Sequence, residues 1–147
     1  MNVIKNFLKF PQSKKIIVGL DYTLWPFKAE YKHFLYSELE EYNVPHINSF
    51  LKEVNNQNLK LFATSRSSCP DLSKVVLKAV YPEIKFDQIE IFSTKRPEKL
   101  GHISNIIDNT DDSFTVFDND ALILEGIKKV YPNSVTYRAP YGFEMFK

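Results

Sequence analysis

A single cysteine, Cys69, stands among 147 residues, so the chain closes no disulfide within itself and suits a reducing compartment. Neither sign of charge is in excess. Nineteen Lys and Arg meet 18 Asp and Glu, and a net charge near +1 gives no global pull toward nucleic acid or an anionic membrane. No apolar run approaches the roughly 20 residues that cross a bilayer, and the first residues lack the continuous apolar core of a secretory signal. The expectation is an intracellular, cytoplasmic protein. Repeats, low-complexity tracts and linkers are absent, and His33, His46 and His102 have no metal-ligand spacing and read as structural. What remains is a globular composition, 44% hydrophobic and 25% charged, in a length that makes one domain. Such a domain buries roughly two-thirds of its unfolded surface.

Residues 1–14 read as an arm and 15–147 as the folded domain. Val3, Ile4, Phe7 and Leu8 have helical spacing before Pro11 stops them. The arm carries no acidic residue, which leaves an organelle-targeting reading open beside that of a lead-in to the first strand. The stretch KKIIVGLDYTLWPF, Lys14 to Phe27, organises the rest of the chain: Ile16, Ile17 and Val18 form the β-branched run of a central strand, broken at Gly19 and succeeded by Asp21. Lys28 to Val44 fits either a short helix or a small hairpin flap.

Pro45 opens a helix with Ile47, Phe50, Leu51 and Val54 on one face. Leu59 to Ala63 predicts a second strand ending in the polar loop Thr64 to Ser68. Pro70 to Val80 predicts a helix that turns Leu72, Val75, Val76 and Ala79 inward. Phe86 to Phe92 predicts a third strand, Glu98 to Ile107 a helix buried through Leu100, Ile103, Ile106 and Ile107, and Phe114 to Phe117 a fourth strand. A helix with Leu122, Ile123, Leu124 and Ile127 and a strand from Ser134 to Tyr137 complete the pattern. Alternating short buried strands and helices argue for a parallel sheet covered on both faces.

VGLDYTLWPF resembles the first motif of the haloacid dehalogenase (HAD) superfamily, and within it the magnesium-dependent phosphatase family. That family has two aspartates here, a nucleophile and, two residues on, a general acid/base. Thr23 sets the register, so Asp21 matches the acid/base and Gly19 stands at the nucleophile position. Further along, Ser65-Arg66 is similar to the family's Ser-Arg phosphate contact, with Thr64 as the neighbour one step away. Lys99, with His102 three residues on, is similar to its Lys-x-x-His, with Lys95 as competitor. VFDND, Val116 to Asp120, resembles Phe-Phe-Asp-Asp-Glu, where Asp118 matches a magnesium ligand and Asn119 replaces an aspartate. The likeness runs from about Lys15 to Arg138 and stops short of the family's final helix.

The resemblance implies an α/β Rossmannoid three-layer sandwich of HAD type with no separate cap domain. It also implies a site whose chemistry is broken. In an intact site a carboxylate attacks phosphorus, a second protonates the leaving oxygen, and Mg²⁺ and a lysine offset the charge. Gly19 supplies no attacking oxygen and no metal ligand, and Asn119 weakens the Mg²⁺ site further. The expected protein is therefore a pseudophosphatase that binds a protein or ribonucleoprotein partner, or a phosphate-bearing ligand through Ser65, Arg66 and Lys99. An active Mg²⁺-dependent phosphatase is the alternative. Candidate contacts to nucleic acid are Lys5, Lys9, Lys14, Lys15, Lys128, Lys129 and Arg138. Simpler readings stand beside these: Asp21 as a turn former, Ser65 or Asp118 as helix caps, Lys99 as a solvated lysine, Cys69 as an inert small residue, and Tyr141, Phe143, Met145 and Phe146 as packing.

Overall fold

A computed structural model describes residues 14–31, 36–95 and 98–144. The readings placed on the arm, on His33 to Leu35 and on Met145 and Phe146 lie outside them. Five strands, β1 (Lys15–Gly19), β2 (Lys60–Ser65), β3 (Gln88–Ile91), β4 (Thr115–Asp118) and β5 (Val135–Arg138), form one sheet in the order β3-β2-β1-β4-β5. Every pairing is parallel. Four helices connect them: α1 (Pro45–Asn56), α2 (Pro70–Val80), α3 (Leu100–Ser104) and α4 (Ala121–Val130). The result is a Rossmann-like α/β sandwich.

The central strand shows why both faces must be covered. Ile16 and Val18 join one core with Phe50 and Leu51 of α1 and Val76 and Leu77 of α2. Ile17, pointing the other way, joins Ile103 of α3 and Ile123 and Ile127 of α4. Phe50 meets Phe117 of β4 edge-on, with ring centroids 5.4 Å apart. The tail folds back over the α1 side: Phe143 stacks on Phe117, and the Tyr141 hydroxyl donates to the Tyr42 carbonyl at 3.1 Å. Tyr141 and Phe143 are thus packing residues. Among the described residues no helix is long and apolar enough to cross a membrane.

Three expectations need correction. The buried face of α2 is Ser73, Val76, Leu77 and Val80, one residue round from the expected Leu72, Val75, Val76 and Ala79. Its apolar residues cover a broad arc opposite Asp71, Lys74 and Lys78, so spacing places the buried centre only to within one residue. Leu122 is 60% exposed, because the face of α4 that packs is made by Ile123, Leu124 and Ile127. Leu122→Glu should therefore leave stability within about 0.5 kcal/mol of wild type in urea unfolding, the ordinary result for a surface position. Helix α3 ends at Ser104 rather than Ile107, although Ile106 and Ile107 are buried in the turn beyond it. The segment Lys28 to Val44 is helical where described, with 3₁₀ turns at Ala29–Tyr31 and Glu40–Tyr42 and one α-turn at Tyr36–Leu39.

Candidate functional site

Strands β1 and β4 are neighbours, yet α1 leaves β1 on one face of the sheet and α4 leaves β4 on the other. That is the switch point of an open α/β sheet, where a crevice opens at the carboxyl ends of the strands. A cleft of about 460 Å³ lies there, and Asp21, Ser65, Arg66, Lys99, Asp118 and Asn119 all line it. Residues spread over almost a hundred positions of sequence thus converge on one edge. Gly19 ends β1 beside them.

The centre of the cleft is an ion pair. Lys99 Nζ lies 2.6 Å from Asp118 Oδ2 and 3.4 Å from the Thr64 carbonyl, and the residues are 7% and 1% exposed. Asp118 Oδ1 accepts the Asp120 N–H at 3.0 Å. The pair fills the space that a side chain on Gly19 would need. A Cβ there would sit 2.7 Å from Asp118 Oδ2 and 3.3 Å from Lys99 Nζ. Lys99 is not a solvated lysine, and the competitor Lys95 is exposed. Nor does Asp118 cap the next helix, since Asp120 does so by accepting the Leu122 N–H at 3.0 Å.

Asp21 has a structural share in the site. Its Oδ1 accepts the Trp25 indole N–H at 2.8 Å and the Ala29 N–H at 3.1 Å, which ties the loop after β1 into a closed turn. Burial pushes its carboxyl pKa up, against the pull of those two donors and of Lys99. Ser65 caps no helix: its Oγ accepts the Ser67 N–H at 3.1 Å within the loop, and α2 begins only at Pro70. The Arg66 guanidinium is turned to Thr94, with Nε donating to the hydroxyl at 3.1 Å.

His102, expected to be structural, is fully buried and stacked on Phe92 at 3.8 Å. Its Nε2 lies 2.8 Å from the Ser65 carbonyl and 2.9 Å from that of Phe92, an arrangement that assigns the proton to Nε2. Burial lowers its pKa, which favours the neutral ring. His102 thereby joins the ends of β2 and β3 behind the cleft.

The sequence reading missed Glu30. Its Oε2 accepts from the Ser68 hydroxyl at 2.6 Å, so the segment after β1 is latched to the loop after β2 across the mouth of the cleft. No local pattern marks this contact, because the partners lie 38 positions apart. Tyr22 is the other omission: it is 43% exposed with φ of 60°, a left-handed conformation that costs a residue with a Cβ about 1 kcal/mol or more.

These donors do not fit a resident Mg²⁺, a hard ion that prefers several oxygen ligands. One oxygen of Asp118 faces an ammonium and the other takes an N–H, Gly19 brings no side chain, and Asn119 brings no charge. Nor is the cleft a strong anion trap. Asp21, Glu30, Asp118 and Asp120 outnumber Lys28, Arg66 and Lys99. No protein-family model matches the chain, and neither does any curated protein. The class that fold and cleft define is a Rossmann-like α/β protein with a polar crevice at its switch point.

Proposed function

We propose that this chain is a HAD-type scaffold related to the magnesium-dependent phosphatases, catalytically silent, that acts by binding a protein or ribonucleoprotein partner. The observation that carries the reading is Gly19 at the tip of β1, with the Lys99–Asp118 pair in the space that the attacking carboxylate would take. Elsewhere, removal of a catalytic nucleophile has cost about 10⁶ in turnover. A phosphate-bearing ligand fits this cleft less well than the residue types lining it suggest, because Asp118 neutralises Lys99 and Arg66 is turned to Thr94.

The purified protein should hydrolyse an aryl phosphate in millimolar Mg²⁺ no faster than the protein-free buffer does. One feature favours the opposite reading: a carboxyl that holds its proton to higher pH, as Asp21 does, suits an acid role. Hydrolysis abolished by Asp21→Asn would therefore establish a working phosphatase with a nucleophile other than residue 19. For a ribonucleoprotein partner, affinity should fall steeply with salt. A flat salt response would restrict the partner to protein.

A further inference from the structure

We infer that the outer edge of β5 is a docking strand for an extended acidic segment of a partner protein. Strand β5 ends the sheet, and among the described residues no further strand pairs with its outer side. Its hydrogen-bond phase shows which groups face outward. Val135 and Ala139 donate their N–H groups inward, to the Phe114 and Asp118 carbonyls, both at 2.8 Å. In a parallel ladder the alternate residues then turn both backbone groups the other way. Those residues are Thr136 and Arg138.

Thr136 and Arg138 also line a groove of about 500 Å³ between β5 and α4. Its floor includes Leu124, and its rim carries Lys128, Lys129 and Arg138 against Glu125 alone. Lys128 reaches the Ser134 carbonyl and Arg138 Nε the Asn119 carbonyl at 3.2 Å, so both cations are held in place beside the edge. Lys129 lies 3.7 Å from Glu125 with both side chains mostly in solvent, where such a pair is weak.

Charge selects the occupant. The chain's own first residues carry Lys5, Lys9 and Lys14 and no acid, so like charges oppose their docking here. A second copy joined edge to edge would set these cations against themselves. A nucleic acid backbone has the negative charge but no alternating donors and acceptors to match Thr136 and Arg138. An extended peptide with carboxylates at alternate positions has both. The inference is independent of the cleft, because the groove lies on the sheet's outer edge.

The test is fluorescence anisotropy of a labelled peptide of alternating Glu and Val, long enough to span β5, titrated with the full chain. Binding should weaken with salt, and a Lys-Val counterpart should not bind. Proline is tolerated where an edge N–H points outward, so Thr136→Pro should keep the melting temperature and weaken binding roughly fivefold, the effect of one hydrogen bond. Charge reversal in Lys128→Glu/Lys129→Glu should weaken it about tenfold or more at low salt. In the wild-type protein the amides of Thr136 and Arg138 should gain protection from hydrogen exchange when the peptide is present. That readout decides the matter should the proline variant fail to fold. If the lysines serve only to deter strand pairing, the acidic peptide leaves anisotropy unchanged and the inference falls. It falls equally if oligouridylate displaces the peptide and protects neither amide, or if gel filtration shows a dimer that excludes the peptide.

Discussion

Lys99→Met should destabilise the fold by about 3–5 kcal/mol, the usual cost of removing one partner from a buried ion pair. In a domain of this size each kcal/mol shifts the melting temperature by about 2–4 °C, so the loss is roughly 6–20 °C. Asp118, 1% exposed, would be left with a carboxylate whose counter-charge has gone, and its remaining partner is one backbone N–H. Most of that cost comes from the stranded charge rather than from attraction within the pair. Lys99→Met/Asp118→Asn should accordingly recover much of the stability, since an amide keeps an oxygen for the Asp120 N–H. Thermal and urea unfolding of the two variants make the measurement. A single variant that melts within a degree or two of wild type would mean that the pair is wet and the site open to solvent.

Gly19→Asp, which would supply the carboxylate that the proposed kinship with phosphatases calls for, should destabilise rather than activate. Its Cβ would come 2.7 Å from Asp118 Oδ2, an approach real side chains do not make, so the ion pair must move. Overpacking of this kind costs about 1–3 kcal/mol before any repulsion between the two carboxylates is added. Gly19→Ala should lose the first amount alone, and the difference between the two variants measures the repulsion. Mg²⁺ should raise the melting temperature of Gly19→Asp, which offers two carboxylates, and leave the wild type unmoved. No aryl phosphatase activity is expected while Lys99 and Asp118 remain joined. Wild-type stability in Gly19→Asp would show that the space at the tip of β1 is open.

The order of elements was legible because the central strands are short apolar runs closed by polar residues and β3 alternates apolar and polar positions. The candidate site was legible through the resemblance, which singled out Asp21, Ser65, Lys99 and Asp118, and the parallel sheet brings all four to the cleft at one edge. What escaped was relational. Which side of α2 faces inward depends on where the sheet lies, so polar Ser73 is buried while Leu72 and Val75 are only partly so. The Glu30–Ser68 latch joins two loops that have no sequence relation. The Lys99–Asp118 pair occupies the space that a Cβ at residue 19 would need, which a sequence shows only as a glycine and coordinates show as a filled space.

The register of β1 has a consequence for synthesis. Its neighbour β2 is the next strand in the chain, but Ile16 also pairs with Thr115, so its second neighbour emerges from the ribosome only after most of the chain has been made. Until then the most apolar strand of the sheet offers a bare edge to any extended segment nearby. Pairings so distant in sequence form slowly. The nascent protein should depend on chaperones during that interval far more than the finished one does.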